Sequence, residues 1–391
     1  MGRMNEIQQG LLVLIKSAVD KQPMALPEGF SMDAAEKQIY RHQIVGLAYE
    51  GAVLCGISQQ DPVMVRLFQK YYQQILRNQK QTAALNKLFE TFGANGIDYL
   101  PVKGLDMKAL YPDPAMRTMG DADVLIRMEQ YDRIKPLMLE LGYTEGNQTG
   151  HELIWDCPAL HLELHKQLVS SYHPDIQRYY GDGWKRAKPL KNNRYTYTAE
   201  DMYIFLFAHF VKHYRRAGIG LRHVLDIWLY REQNPALDYA YVRRELETLR
   251  LNAFHENLLR LMDYWFADGE ADEVIAYISE FIHSSGSWGS HENLSRFMAV
   301  KKKKLGEEQH SRFFRGLSLI FPGLSIMKTQ FPVLKKAPWL LPVMWPVRWI
   351  RVVLFQRKDI THVQEEWKHS SGKEINAYEE ALHYVGLHYD G

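Results

Sequence analysis

Cysteine is nearly absent from this 391-residue chain. Cys55 and Cys157 are the only two, too few for a disulfide framework or a cysteine-rich zinc site and consistent with a reducing compartment. An excess of charge of one sign is missing as well. Forty-eight lysines and arginines stand against forty-six acids, a formal net charge of +2, so no global field points to nucleic acid or another polyanion, and a charged ligand has to be met locally. Long apolar runs are also wanting. Leu11 to Ile15 is too short for a secretory core, and the uncharged stretch Ala337 to Val347 holds three prolines and is followed by Arg348, which does not make a spanning helix. The expectation is an unexported, cytoplasmic protein without a transmembrane segment.

What the chain does have is enough apolar residue, 46% of the sequence, to bury a full core and to form more than one domain. From Ala34 to Phe92 the spacing is helical, with Phe68, Tyr72, Ile75, Leu85, Leu88, Phe89 and Phe92 near one stripe and Asp61-Pro62 as a start signal. At Gly96 the texture changes. IDYLPVKG reads as a short buried strand ending in a glycine turn, LDMKALY as a helix, DADVLI as a second strand, and Ile134, Leu137, Met138 and Leu141 as the face of a helix that stops at Gly142. HELIWDCPALHLELHKQL follows as one or two strands, completing a small α/β unit. Beyond Glu200 the pattern is helical again, and the Ser/Gly-rich residues 283–295 read as a linker or mobile loop. The expected organisation is a helical lead-in (1–94), a core (95–198), a helical domain (199–282) and a C-terminal extension (283–391).

Side chains alternate along a strand, so Asp121 and Asp123 share one face while Ala122, Val124 and Ile126 take the other. Two neighbouring carboxylates repel and raise each other's pKa unless a cation neutralises them, and an oxygen-ligated Mg²⁺ or Mn²⁺ is the usual solution. Solvent-facing acids on an edge strand are the plain alternative. The same alternation puts His161, Glu163 and His165 on one face of LHLELH, which suits a third carboxylate, Glu163. A His-Glu-His transition-metal site and a hydrogen-bonded sheet face remain open there. Lys103-Gly104 stands at a strand-to-helix turn, where a glycine lets backbone approach a phosphate and a lysine adds a point charge. Arg117 either contacts phosphate or fixes its loop by pairing with an acid.

The run LPVKGLDMKALYPDPAMRTMGDADVLI, then a helix ending in LGY, then LHLELHK, resembles the uncharacterised nucleotidyltransferase family of the polymerase-beta superfamily. The matching residues are Lys103, Gly104, Arg117, Asp121, Asp123, Glu163 and His165. The likeness continues less specifically through HFVKHYRRAGIGLRHVLDIWLY and FPGLSIMKTQFPVLKKAPWLLP. Lys-Gly replaces the superfamily's usual Gly-Gly or Gly-Ser turn, and the stretch from Gly104 to Asp121 is longer than in compact members. The resemblance implies an α+β fold, a small mixed-sheet core flanked by N-terminal helices and a C-terminal helical domain. It also implies Mg²⁺ or Mn²⁺ held by Asp121, Asp123 and Glu163, with Lys103, Gly104 and Arg117 toward a nucleoside triphosphate.

The implied reaction moves a nucleoside monophosphate to an acceptor hydroxyl and releases pyrophosphate, with Glu163 taking the acceptor proton. The acceptor is open among small molecule, sugar phosphate, RNA and protein. His209, His213, Arg216 and Asp226 are candidates for its side, with His165 beside them. Core packing of the two histidines and a plain Arg222–Asp226 helix ion pair are the competing accounts. A degenerate nucleotide-binding core is one alternative function. A membrane-surface adaptor is another, suggested by Trp339, Trp345 and Trp349 among prolines and basic residues, with burial of those tryptophans the preferred explanation. The Lys301 to Lys304 run reads as a solvated charged face.

Overall fold

The computed structural model describes residues 4–148, 151–169, 173–287, 333–355 and 372–388, with single positions between 289 and 331. Four helices lead the chain: α1 (Glu6–Asp20), α2 (Met32–Arg41), α3 (Val45–Leu54) and α4 (Pro62–Ala94). Asp61 caps α4 by accepting from the Val63 amide at 2.7 Å, and Pro62 occupies the first helical position, where a missing N–H costs nothing. The α4 helix has 33 residues and is about 50 Å long. Leu67 and Tyr71 near its start join the larger hydrophobic cluster with α1–α3 and the later helices. Leu85, Leu88 and Phe92 near its end instead pack under the sheet.

That sheet has five described strands, β1 (Tyr99–Val102), β2 (Ala122–Ile126), β3 (Thr144–Gln148), β4 (Glu152–Cys157) and β5 (Leu160–His165), in the order β1-β2-β5-β4-β3. The β2–β5 pair is parallel and the other pairs are antiparallel. Helix α5 (Gly104–Met107) follows β1, α6 (Tyr131–Glu140) follows β2, and the chain leaves α6 through Gly142 at φ 82°. Beyond β5 come α7 (Pro174–Tyr180), the two-residue strands β6 (Lys188–Pro189) and β7 (Tyr195–Thr196), and five helices: α8 (Ala199–Arg216), α9 (Leu221–Gln233), α10 (Tyr239–Thr248), α11 (Asn252–Phe266) and α12 (Glu273–Ser285). Two further helices are α13 (Leu341–Phe355) and α14 (Gly372–Tyr384). The α+β class read from the sequence is the class found. No described helix is long and apolar enough to cross a membrane.

Several local expectations change. Phe68 and Tyr72 are half exposed, because the buried stripe of α4 runs through Leu67 and Tyr71, one position round the helix. The start of the expected linker is packed instead: His283, Ser285 and Ser287 are buried. Ser287 Oγ donates to the His42 carbonyl at 2.8 Å, and the Ser287 amide donates to the Arg41 carbonyl at 3.0 Å. Trp339 is largely exposed rather than buried, while Trp345 and Trp349 meet Phe321 edge-on with ring centroids 5.1 and 5.0 Å away. Lys301 to Lys304 lie outside the described residues.

Candidate active site

The register of β2 against β5 sets Asp123 directly opposite Glu163 and Ala122 opposite Leu162. Apolar residues on the under-face, Val124, Leu162 and Leu164, belong to the sheet cluster. This fixes the register, because a one-residue slip would bury the acids and expose the leucines. His165, two residues beyond Glu163, completes the group. Its Nε2 lies 2.7 Å from Asp123 Oδ1 and 3.4 Å from Glu163 Oε2. One ligand atom from each of Asp123, Glu163 and His165 lies within 4.8 Å of the others.

Lys103 enters from the end of β1, its ammonium 2.5 Å from Asp123 Oδ1. The left-handed backbone of this turn is at Lys103 itself, φ 56°, and not at Gly104. Gly104 is needed for a different reason: a Cβ there would come within 2.7 Å of Arg117 Nη1. Asp121 sits exposed just ahead of β2. His161 turns away, its Nδ1 2.6 Å from Asp156 Oδ1 and its Nε2 3.9 Å from Glu163. The residues brought together at Glu163 are therefore Asp123 and His165, and His161 stands outside their group.

The charges in this group oppose one another. Burial works to raise the Asp123 pKa, but the Lys103 ammonium and the His165 imidazole overcome it and hold the carboxyl well below the usual range. The hydrogen bond from His165 lowers Glu163 against its burial. At Asp121 desolvation, then the adjacent Asp123 carboxylate, raise the pKa. Two carboxylates beside an imidazole, with the exposed Asp121 carboxylate two residues before Asp123, are a donor set that fits a hard divalent cation. The lysine drawn onto Asp123 marks where positive charge is required.

Helix α8 closes the other side. Lys212, half-buried, feels Lys103, Asp123 and Glu163, and burial followed by the repulsion of Lys103 lowers its pKa to about 7. His209 and His213 flank it, with their Nε2 atoms 3.1 Å apart, and burial holds both uncharged. Lys212 was the residue the sequence reading passed over. The signal was its place inside HFVKHYRR, three residues beyond His209 and so on a neighbouring position of the same helix side. Arg216 is exposed near the end of α8.

Arg117 and Asp226 form a buried pair. Nε and Nη2 of the guanidinium each lie 2.7 Å from one Asp226 oxygen, and Nη1 donates to the Gly104 carbonyl at 3.3 Å. Tyr111 adds a hydroxyl to Asp226 at 2.8 Å. Arg222 is not the partner of Asp226 expected from helix spacing, since its Nη1 donates to Gln43 and Thr118 instead. Asp226 points from α9 toward the loop before β2, and Arg117 reaches it first.

A family model described as uncharacterised nucleotidyltransferase matches residues 28–267, a span that holds the β2–β5 carboxylates, the Lys103 turn and the α8–α9 wall together. The chain belongs to the uncharacterised nucleotidyltransferase family. Membership makes it a transferase that uses a nucleotide substrate. Comparison with curated proteins and with solved structures gave no match. In this nucleotidyltransferase the buried Asp123 and the partly buried Glu163 sit opposite each other on adjacent parallel strands.

Proposed function

We propose that the chain transfers a nucleoside monophosphate from a nucleoside triphosphate to an acceptor hydroxyl, using Mg²⁺ or Mn²⁺ held by Asp121, Asp123 and Glu163. The observation that carries this reading is the cross-strand placement of Asp123 and Glu163, with Asp121 two residues earlier on the same strand approach. Bound there, the cation neutralises charge on the triphosphate and lowers the pKa of the acceptor hydroxyl. The acceptor oxygen forms a bond to the α-phosphorus, the bond from that phosphorus to the bridging oxygen of pyrophosphate breaks, and the acceptor proton passes to Glu163. His165 holds Asp123 and Glu163 in place through its Nε2. Lys103 and the Gly104 turn border these carboxylates and line the triphosphate, joined from α8 by Lys212.

Arg117 serves the nucleotide by fixing the Gly104 carbonyl, since each of its three guanidinium nitrogens already has a protein partner. Residues 95–198 act as the catalytic core. His209, His213, Arg216 and Asp226 in the helices beyond it shape the acceptor side. The reading is tested with Glu163→Gln and His161→Ala: the first eliminates product, while the second retains Mg²⁺-dependent activity. Stoichiometric zinc in the purified parent, lost on His165→Ala, would overturn it in favour of a transition-metal site.

A further inference from the structure

Residues 309–358 contain nine lysines and arginines and no aspartate or glutamate, in a chain whose net charge is only +2. Within this stretch Trp339 is 77% exposed, Val343 59% and Val347 42%. The three positions are four residues apart, so from the turn before α13 into the helix they form one apolar stripe facing solvent. The opposite side is engaged: Trp345 and Trp349 lie against Phe321. An exposed tryptophan in line with two exposed valines has to be accounted for, because bare apolar surface of this kind marks a contact site.

We propose that this stripe lies on an anionic lipid bilayer. Tryptophan, valine and proline suit the boundary between headgroup and acyl chain, and clustered lysine and arginine suit anionic headgroups. The element rests on the membrane rather than crossing it. Its 15 helical residues extend about 22 Å, short of the roughly 30 Å hydrocarbon core, and Arg348 falls in the middle of them. A second copy of the chain is a poorer occupant, since two copies of a segment with nine basic residues and no acid repel each other.

The test is co-sedimentation of the full-length chain with vesicles of phosphatidylcholine alone and of phosphatidylcholine mixed with phosphatidylglycerol. The double variant Trp339→Glu, Val343→Glu is run in parallel; both side chains are exposed, so folding is spared, and a thermal melt verifies it. The wild type is expected to sediment with the mixed vesicles and to leave them as salt rises. The double variant is expected to bind at least about tenfold more weakly. Absence of wild-type binding to the mixed vesicles, or equal binding by the folded variant, overturns the proposal. So does a wild-type dimer in analytical ultracentrifugation that the variant dissociates while vesicle binding is nil.

Discussion

Arg117 grips Asp226 through two contacts of 2.7 Å, joining the loop ahead of the Asp121–Asp123 strand to a helix 109 residues further along the chain. The same guanidinium holds the Gly104 carbonyl. One buried ion pair thus ties the Gly104 turn, the loop before the carboxylate strand and the α9 helix into a single geometry. Removing one partner leaves a buried charge uncompensated. Arg117→Ala is expected to cost about 3–5 kcal/mol of unfolding free energy. Arg117→Ala combined with Asp226→Ala should cost clearly less than the sum of the single changes in denaturant melts.

Asp121 carries a pKa raised by desolvation and by Asp123, so its charge is held against repulsion in the metal-free protein. Asp121→Asn removes that repulsion. The metal-free variant is expected to melt at or slightly above the wild-type temperature. Millimolar Mg²⁺ should raise the wild-type Tm and leave the variant nearly unmoved, since a ligand stabilises the form that binds it.

Lys212 loses its proton near pH 7, burial and Lys103 having lowered it. As pH rises above neutrality the free protein surrenders the positive charge that, on the proposed function, would face the triphosphate. Nucleotide affinity, measured by calorimetry with Mn²⁺, should therefore fall above pH 7 in the wild type. In Lys212→Arg, whose guanidinium stays charged, it should be flat, and Lys212→Gln should bind about tenfold more weakly than wild type below pH 7, with the difference closing as pH rises.

His42 sits with Nδ1 accepting from the Leu221 amide at 3.2 Å and Nε2 donating to the His283 carbonyl at 3.1 Å. The Nδ1 contact requires the neutral ring, since a protonated Nδ1 cannot accept. Burial lowers its pKa to about 4 and that of His283 to about 3, below the value near 6.5 of an unfolded histidine. The unfolded chain therefore takes up the proton first as pH falls, and stability present above pH 6.5 is lost on the way to pH 4. His42→Gln is less stable at pH 7 but should lose about 2 kcal/mol less than wild type between pH 7 and 4.5, read from denaturant midpoints.

Much of the β2–β5 strand pair was legible because alternation is a local property: Asp123 and Glu163 announce their faces through the leucines and valines between them. Strand β3, TEGNQ, has no apolar alternation and was missed; it is held as an edge by pairing with β4. The Arg117–Asp226 pair joins residues too far apart for any window to see, and the nearby Arg222 offered a closer but wrong partner. Phe68 and Tyr72 fell on a stripe that periodicity alone could not place to within one position. Trp339 misled for a related reason, since composition says that tryptophan covers apolar surface and not which surface it covers.

The most direct test incubates the purified chain with each of the four α-labelled ribonucleoside triphosphates and Mg²⁺, with and without an extract supplying acceptors, and follows label and pyrophosphate together. Label transferred to an acceptor with equimolar pyrophosphate, absent without the divalent cation and absent in Asp123→Asn and Glu163→Gln, is the result expected. Release of inorganic phosphate with a nucleoside diphosphate left behind would contradict the account, as would transfer that persists in both folded variants.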